Sequence, residues 1–279
     1  MYRDLTKGSI ARALLLFALP MIAGNMLQQL YNIADTLIVG RVLGSNALAA
    51  VGSAYTLMTF LTSIFLGLSM GSGALFSIYL GRGDRASLKS AIVHAFVLIM
   101  TVTLVLNVLV YVCLNPILAF LQVPTEVWDG MRDYLLVIFA GLIATSLYNF
   151  FSSLLRALGN STAPLVFLAV SAVLNIGLDL LFVAVLPWGI QGAALATVIA
   201  QYVSGVGMML YVLFRCRDLL PGRGEVHFSR PILKEITNLS TLTCVQQSVM
   251  NFGILMVQGL VNSFGPTVMA AFAAAVKID

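Results

Sequence analysis

Charge is the scarcest commodity in this chain. Of 279 residues only 15 are Lys or Arg and 11 are Asp or Glu, 9% in all, where a soluble domain carries about a quarter. That scarcity, with 60% hydrophobic residues, excludes an ordinary soluble domain and points to an integral membrane protein. Cysteine is nearly absent too. Cys113, Cys216 and Cys244 lie far apart, with neither disulfide nor metal-ligand spacing, and read as plain thiols. The two histidines, His94 and His227, are isolated. No nucleophile–base pair or metal cluster is visible, so an enzyme is not expected, and no cofactor is called for. The net charge of +4 gathers in loops, which argues for a topology signal and against nucleic-acid binding.

What is present is a series of long apolar runs without period-2 alternation. Runs of about 20 residues suit helices crossing a bilayer of about 30 Å, not a barrel. Spans are expected near 13–39, 47–80, 91–114, 134–155, 163–186, 190–214 and 233–263, with a polar connector over 215–231. A last apolar run opens at Val268 and is cut off at Asp279. Asn115-Pro116 should end the third span, and Pro20 should loosen or bend the first. The second span exceeds one bilayer crossing, so it should tilt, bend or project past the headgroups, with any bend expected at Gly67, Gly71 and Gly73. The basic N-terminus resembles a signal peptide superficially, but its apolar run is too long and lacks a small-residue cleavage site.

Orientation follows from the loops. With the N-terminus cytoplasmic, the inner segments hold Arg3, Lys7, Arg12, Arg82, Arg85, Lys89, Arg156 and the basic residues of the connector. The outer ones hold Arg41 and Arg132, as the positive-inside rule requires. A multi-pass protein of the cell (inner or cytoplasmic) membrane is expected.

Polar residues inside these spans carry the chemistry. In Pro20–Gly40, residues Gln28, Tyr31, Asn32 and Asp35 recur at helical spacing and share one face. A carboxylate at the bilayer centre costs about 2.5–3.5 kcal/mol on insertion scales, so this face must meet protein or water. The fifth span carries a second acid, Asp179, with Asn175 one turn before it, and the sixth carries Thr197. With orientation fixed, Asp35, Asp179 and Thr197 fall in the outer half of one bundle. Two carboxylates with amide and hydroxyl oxygens at one depth can bind a proton, shared between them, or a small hard cation such as Na+. The plainer alternative is that these groups only hydrogen-bond between helices. No Arg or Lys partner is expected within these six spans.

A weak internal repeat supplies the architecture. Gln28-Gln29, Gly44 and Ala47–Ala50 recur as Gln246-Gln247, Gly265 and Met269–Ala271 at a nearly constant offset. Six spans separate the copies, giving a parallel repeat about an axis along the membrane normal. The expected organisation is an all-α polytopic bundle. A six-span lobe over 1–225 is followed by the beginning of a second lobe over 226–279, with twelve spans in the whole protein. Gln247, Asn251 and Gln258 share a face of the seventh span, but that copy lacks the acid. Lys277, in the truncated eighth span, could face a cavity, snorkel, or pair with a residue beyond this chain.

Other patterns carry little. Gly67-Leu-Ser-Met-Gly71 matches a hydrolase elbow but lacks its strand–turn context. Asn160-Ser-Thr162 and Asn238-Leu-Ser240 match glycosylation acceptors, yet both fall on the cytoplasmic side. Tyr31, Met58 and Phe60 could line an apolar cavity or merely the core.

The segments ALPMIAGNMLQQLYNIADTLIVGRVLG, LGRGD, RALGNSTAP, LNIGLDLLFV and GIQGAALATVIAQ, in that order, resemble the multidrug and toxic compound extrusion (MATE) family across essentially the whole chain. The resemblance implies two six-helix lobes forming a V-shaped exporter, monomeric at full length, that exchanges small organic and often cationic compounds for H+ or Na+. Its N-lobe cation site would fall on Asp35, Asn175, Asp179 and Thr197. Gln28, Tyr31, Tyr134 and Asn149 would be further polar lining, with Asn32, Gln247, Asn251 and Lys277 as additional candidates, and Pro20 the bending position. A lipid-linked saccharide flippase of a related branch is the alternative; its pyrophosphate substrate would demand basic lining, where these spans present Asp. A channel is a third class, less suited to a half-repeat.

Overall fold

In the computed structural model, residues 10–219, 222 and 229–276 are described. Their helices are α1 (Ile10–Leu43), α2 (Ser45–Gly81), α3 (Arg85–Val112), α4 (Leu114–Phe120), α5 (Thr125–Ile138), α6 (Leu142–Ala157), α7 (Thr162–Asp179), α8 (Gly189–Arg215), α9 (Arg230–Asn262) and α10 (Pro266–Val276). A turn of 3-10 helix, Phe139–Gly141, joins α5 to α6, and π-helix Leu180–Val185 prolongs α7. Seven helical segments among the described residues are long and apolar enough to cross a membrane. Lys277 and His227 lie outside the described residues.

Turn chemistry accounts for two of the sequence motifs. In Leu80-Gly-Arg-Gly-Asp84, Gly83 adopts φ 73°, and Asp84 N–H donates to the Tyr79 carbonyl across 3.0 Å. This closes α2 with a left-handed glycine that a Cβ would strain. Asp84 then caps α3, accepting from Ser87 N–H at 3.0 Å. The Ser87 hydroxyl and backbone N–H together hold the Asp84 carboxyl below its usual range. The Arg156–Ser161 turn repeats the device. Gly159 sits at φ 78°, and Asn160 Oδ1 accepts from Ala163 N–H at 3.1 Å to start α7.

Several boundaries differ from the sequence expectation. Helix begins at Thr125, well before Tyr134, because Pro124 stands at the N-cap and the charged residues of α5 occupy its outer face. The third span closes at Val112, just before Asn115-Pro116 as expected, and the pair then lies in the first turn of α4, where proline has no hydrogen bond to lose. In α2, a single helix of 37 residues, the glycines are contact points. A Cβ on Gly67 would collide with the Cys244 backbone, one on Gly71 with Ser240, and one on Gly73 with Ser153. Helices in lipid gain little from apolar burial against one another, so backbone approach through small residues supplies the contact.

α2 is the axis of the assembly, packed on α9 along its length and touching α1, α3, α5, α6 and α10. Hydrogen bonds reinforce the α2–α9 seam at intervals. The Tyr79 hydroxyl donates to Glu235 at 2.7 Å, Thr243 to the Gly67 carbonyl at 2.6 Å, and Thr56 to Gln258 Oε1 at 3.1 Å. Gln258 Nε2 donates to Asn262 Oδ1 at 2.8 Å, while Asn262 Nδ2 donates to the Leu121 carbonyl at 2.8 Å and to Ser53 at 3.0 Å. Two apolar cores stack along α2, one reaching Phe65 and the other starting at Leu68. The second is built on edge-to-face phenylalanines, with Phe96 and Phe150 centroids 5.3 Å apart.

Replacing Gly71 with Leu should destabilise the fold by about 1–3 kcal/mol through overpacking. Gly81→Ala, with open space around its Cβ, should change little. Thermal unfolding in detergent separates the two; equal midpoints would refute the contact role of Gly71.

Candidate functional site

A cavity of about 560 Å³ runs beside α1, walled by that helix and by α2, α5, α6, α7, α8 and α9. One wall is the polar stripe of α1. Gln28, Tyr31, Asn32 and Asp35 all line the cavity, as do Tyr134, Asn149, Asn175, Thr197, Gln247 and Asn251. Asn32 is fixed by weak hydrogen bonds to Gln29 Oε1 at 3.3 Å and to the Tyr55 hydroxyl at 3.4 Å. Gln258 is separated from Gln247 and Asn251, since it turns into the α2–α9 seam. Phe60 is not on the wall and instead packs against Phe252 at 5.7 Å.

At one end of the cavity lies the acidic pair. Asp179 closes α7 and is 0% exposed, Asn175 is 2% exposed and Asp35 9%. Asn175 Nδ2 donates to Thr197 Oγ1 at 3.3 Å, and Thr197 donates back to the Ala193 carbonyl at 3.2 Å. Asn175 Oδ1 and both Asp179 oxygens are buried without a donor among the described residues. Asp35 is near enough for its charge to act on Asp179. Two carboxylates cannot donate to one another, so a hydrogen bond between them forms only when one carries a proton. The same oxygens are the hard donors that a monovalent cation takes. Directly after Asp179 the backbone loosens into the π-helix, a feature that accompanies functional positions in helices.

The other end of the cavity is set by Pro20. α1 continues through it, although proline cannot donate to the Leu16 carbonyl. One turn away, the Ser161 hydroxyl donates to the Phe17 carbonyl at 2.8 Å, tying the α6–α7 turn to α1. At this end stands a residue that sequence reasoning placed in a loop. Arg156, in the last turn of α6, lines the cavity. The expectation that no basic side chain faces the interior of these spans is therefore corrected, and with it the main argument against an anionic substrate. The signal was present. Thr145, Tyr148, Asn149 and Arg156 form one helical stripe, as do Thr197, Gln201 and Ser204 on α8 and Tyr55, Met58, Thr59 and Thr62 on α2; all line the cavity.

Comparison with known proteins now decides the family. The model described as MatE matches residues 20–181, more than half of the chain. The chain belongs to the MATE family. Among its relatives, the probable multidrug resistance protein YpnP of Bacillus subtilis is 31% identical over 99% of this chain and 62% of its own length. The probable multidrug resistance protein NorM of Thermotoga maritima is 26% identical over 97% and 59%. A multidrug resistance MATE transporter solved in an inward-facing conformation superposes with a TM-score of 0.82 at 25% identity, covering 90% of this chain and 57% of that one. This MATE chain thus spans about 60% of the length of the relatives it matches, and it is a multi-pass membrane protein.

Asp179→Asn should fold with a thermal midpoint at least equal to the parent's, because an amide costs less than a carboxylate without a donor. A fall of more than a few degrees would show that the charge has a compensating partner.

Proposed function

We propose that the full-length protein is a secondary active exporter. In this reading it moves small organic, largely cationic compounds out of the cell against H+ or Na+ by alternating access, as a monomer in the cytoplasmic membrane with its N-terminus inside. The observation that carries the reading is the cluster of buried, donorless oxygens on Asp179 and Asn175 beside Asp35, at the edge of a cavity walled by tyrosine and methionine. A proton or Na+ satisfies those oxygens; without one, like charges face each other in low dielectric. The ion therefore binds unequally to conformations that hold α1, α7 and α8 together and those that do not, which is what ion-biased alternating access requires. Aromatic rings and thioethers lining the cavity adapt to varied apolar compounds, and the cationic ones gain from ring faces as well as from Asp35. The names of YpnP and NorM support drug export as the cargo class. In this reading the described chain supplies the ion-binding lobe and the first helices of its repeat.

The test uses the full-length protein in vesicles, with efflux of a cationic dye driven by separately imposed H+ and Na+ gradients. One gradient should drive efflux, and Asp35→Asn or Asp179→Asn should reduce it at least about 100-fold while the protein still inserts, as loss of an essential coupling charge demands. Efflux that persists in both variants would remove the acidic pair from the mechanism.

A further inference from the structure

The cavity has a second charged group that the ion-exchange reading leaves idle. Among the described residues lining it, only Asp35 and Arg156 carry a formal charge. Arg156 makes no ion pair with any described residue, and its Nε is buried without a hydrogen-bond partner. A guanidinium remains protonated at any pH the protein meets, so it cannot escape the cost of partial burial by neutralising itself. Its neighbours do not discharge it. The Tyr148 hydroxyl, close enough to feel the Arg156 charge, donates to the Pro164 carbonyl at 3.1 Å. Ser161 spends its proton on Phe17. Asp35 is remote: from Phe17, at the Arg156 end, to Asp35, α1 rises about 27 Å. A drug-sized molecule held at Arg156 therefore does not sit on the acidic pair.

We propose that Arg156 is an anion subsite at this end of the cavity, receiving the phosphate or carboxylate of an aromatic or otherwise apolar organic anion. The inference rests on the cavity being a substrate path, and it widens the cargo from cations to anionic and amphoteric compounds. The donor set suits that ligand. The guanidinium fork offers paired N–H donors matched to two oxygens of one anionic group, while Tyr148 and Leu168 of the wall offer apolar surface to a ring. Because the two cavity charges are opposite and separated, one path can accept both ligand classes without either binding the other's subsite.

The test is equilibrium binding to the full-length protein in neutral-lipid nanodiscs, using the fluorescent pair riboflavin 5′-phosphate and riboflavin, which differ only in the phosphate. The parent should prefer the phosphate by about tenfold or more at low salt, the range of a charge-assisted bidentate contact. Arg156→Gln should abolish that preference while leaving riboflavin binding unchanged. Arg156→Lys, which keeps the charge but not the fork, should retain a reduced preference. It also serves if the glutamine variant does not fold. Loss of the preference only in discs rich in anionic lipid would assign the same subsite to a lipid headgroup. Equal binding of the two flavins by the parent, no binding of either, or a preference undiminished in Arg156→Gln would overturn the proposal. Cationic-dye efflux measured on the parent keeps the outcomes apart. Its failure there bears on the exporter reading, not on this subsite.

Discussion

A carboxylate buried completely inside a membrane helix is the constraint from which the rest of this architecture follows. Asp179 is 0% exposed in a segment that otherwise has every property of a lipid-spanning helix. Such a group survives only beside polar protein atoms or a bound ion. That demand brings α1 and α8 to α7, since Asp35 and Thr197 are the groups that can stand there. It also obliges α1 to turn its amide and tyrosine stripe inward while presenting Leu15, Leu19, Met26 and Leu30, all exposed, on the opposite side. The cavity is the space left where these polar faces converge without filling each other's hydrogen-bonding capacity.

Holding a polar cavity open in a bundle requires a rigid frame elsewhere, and α2 provides it. Its small residues let α9 and α6 approach at backbone distance, and its hydroxyls mostly bond to its own carbonyls one turn back, as Thr59 does to Tyr55 at 2.9 Å. Side chains that would be costly in lipid are thereby satisfied locally. The amides that do cross the seam, Gln258 and Asn262, are bonded at both ends. Rigid seam and unsatisfied cavity are opposite solutions to one problem. Most frame groups have partners within the protein, Ser69 Oγ being an exception, and the oxygens of Asp179 have none among the described residues.

The spans themselves were legible because an apolar run of about twenty residues matches the thickness of a bilayer and fits little else. Asp35 and Asp179 were legible because their cost in lipid singles them out. The α1 stripe could be read from its period alone. What the sequence concealed was context. Gly67 and Gly71 give no sign in the sequence of the close approach that the position of α9 reveals. Gln247, Asn251 and Gln258 share one face by period, yet over three turns that face rotates from cavity to seam, so one stripe serves two purposes. Arg156 follows an apolar run and precedes a glycine turn, and a basic residue there reads as a cytoplasmic anchor. The cavity reaches far enough along α6 to claim it.

The uneven hold on α1 completes the physical account. Most of its large side chains in the first half, from Leu14 to Met26, are exposed, and at Pro20 its hydrogen-bond ladder lacks a rung. Its polar half is bound instead by interactions with the acidic pair and with Tyr55. The helix is thus held through its polar half, and near Phe17 a hydroxyl from the α6–α7 turn reaches it. Any change in charge at Asp35 alters the attraction at the fastened end, and the proline leaves the intervening helix less able to resist the change. In the proposed reading, coupling between an ion and the shape of the cavity needs no longer-range device than this: one helix carries the charge, the discontinuity and a wall of the cavity, and α2, with neither charge nor discontinuity, stands beside it.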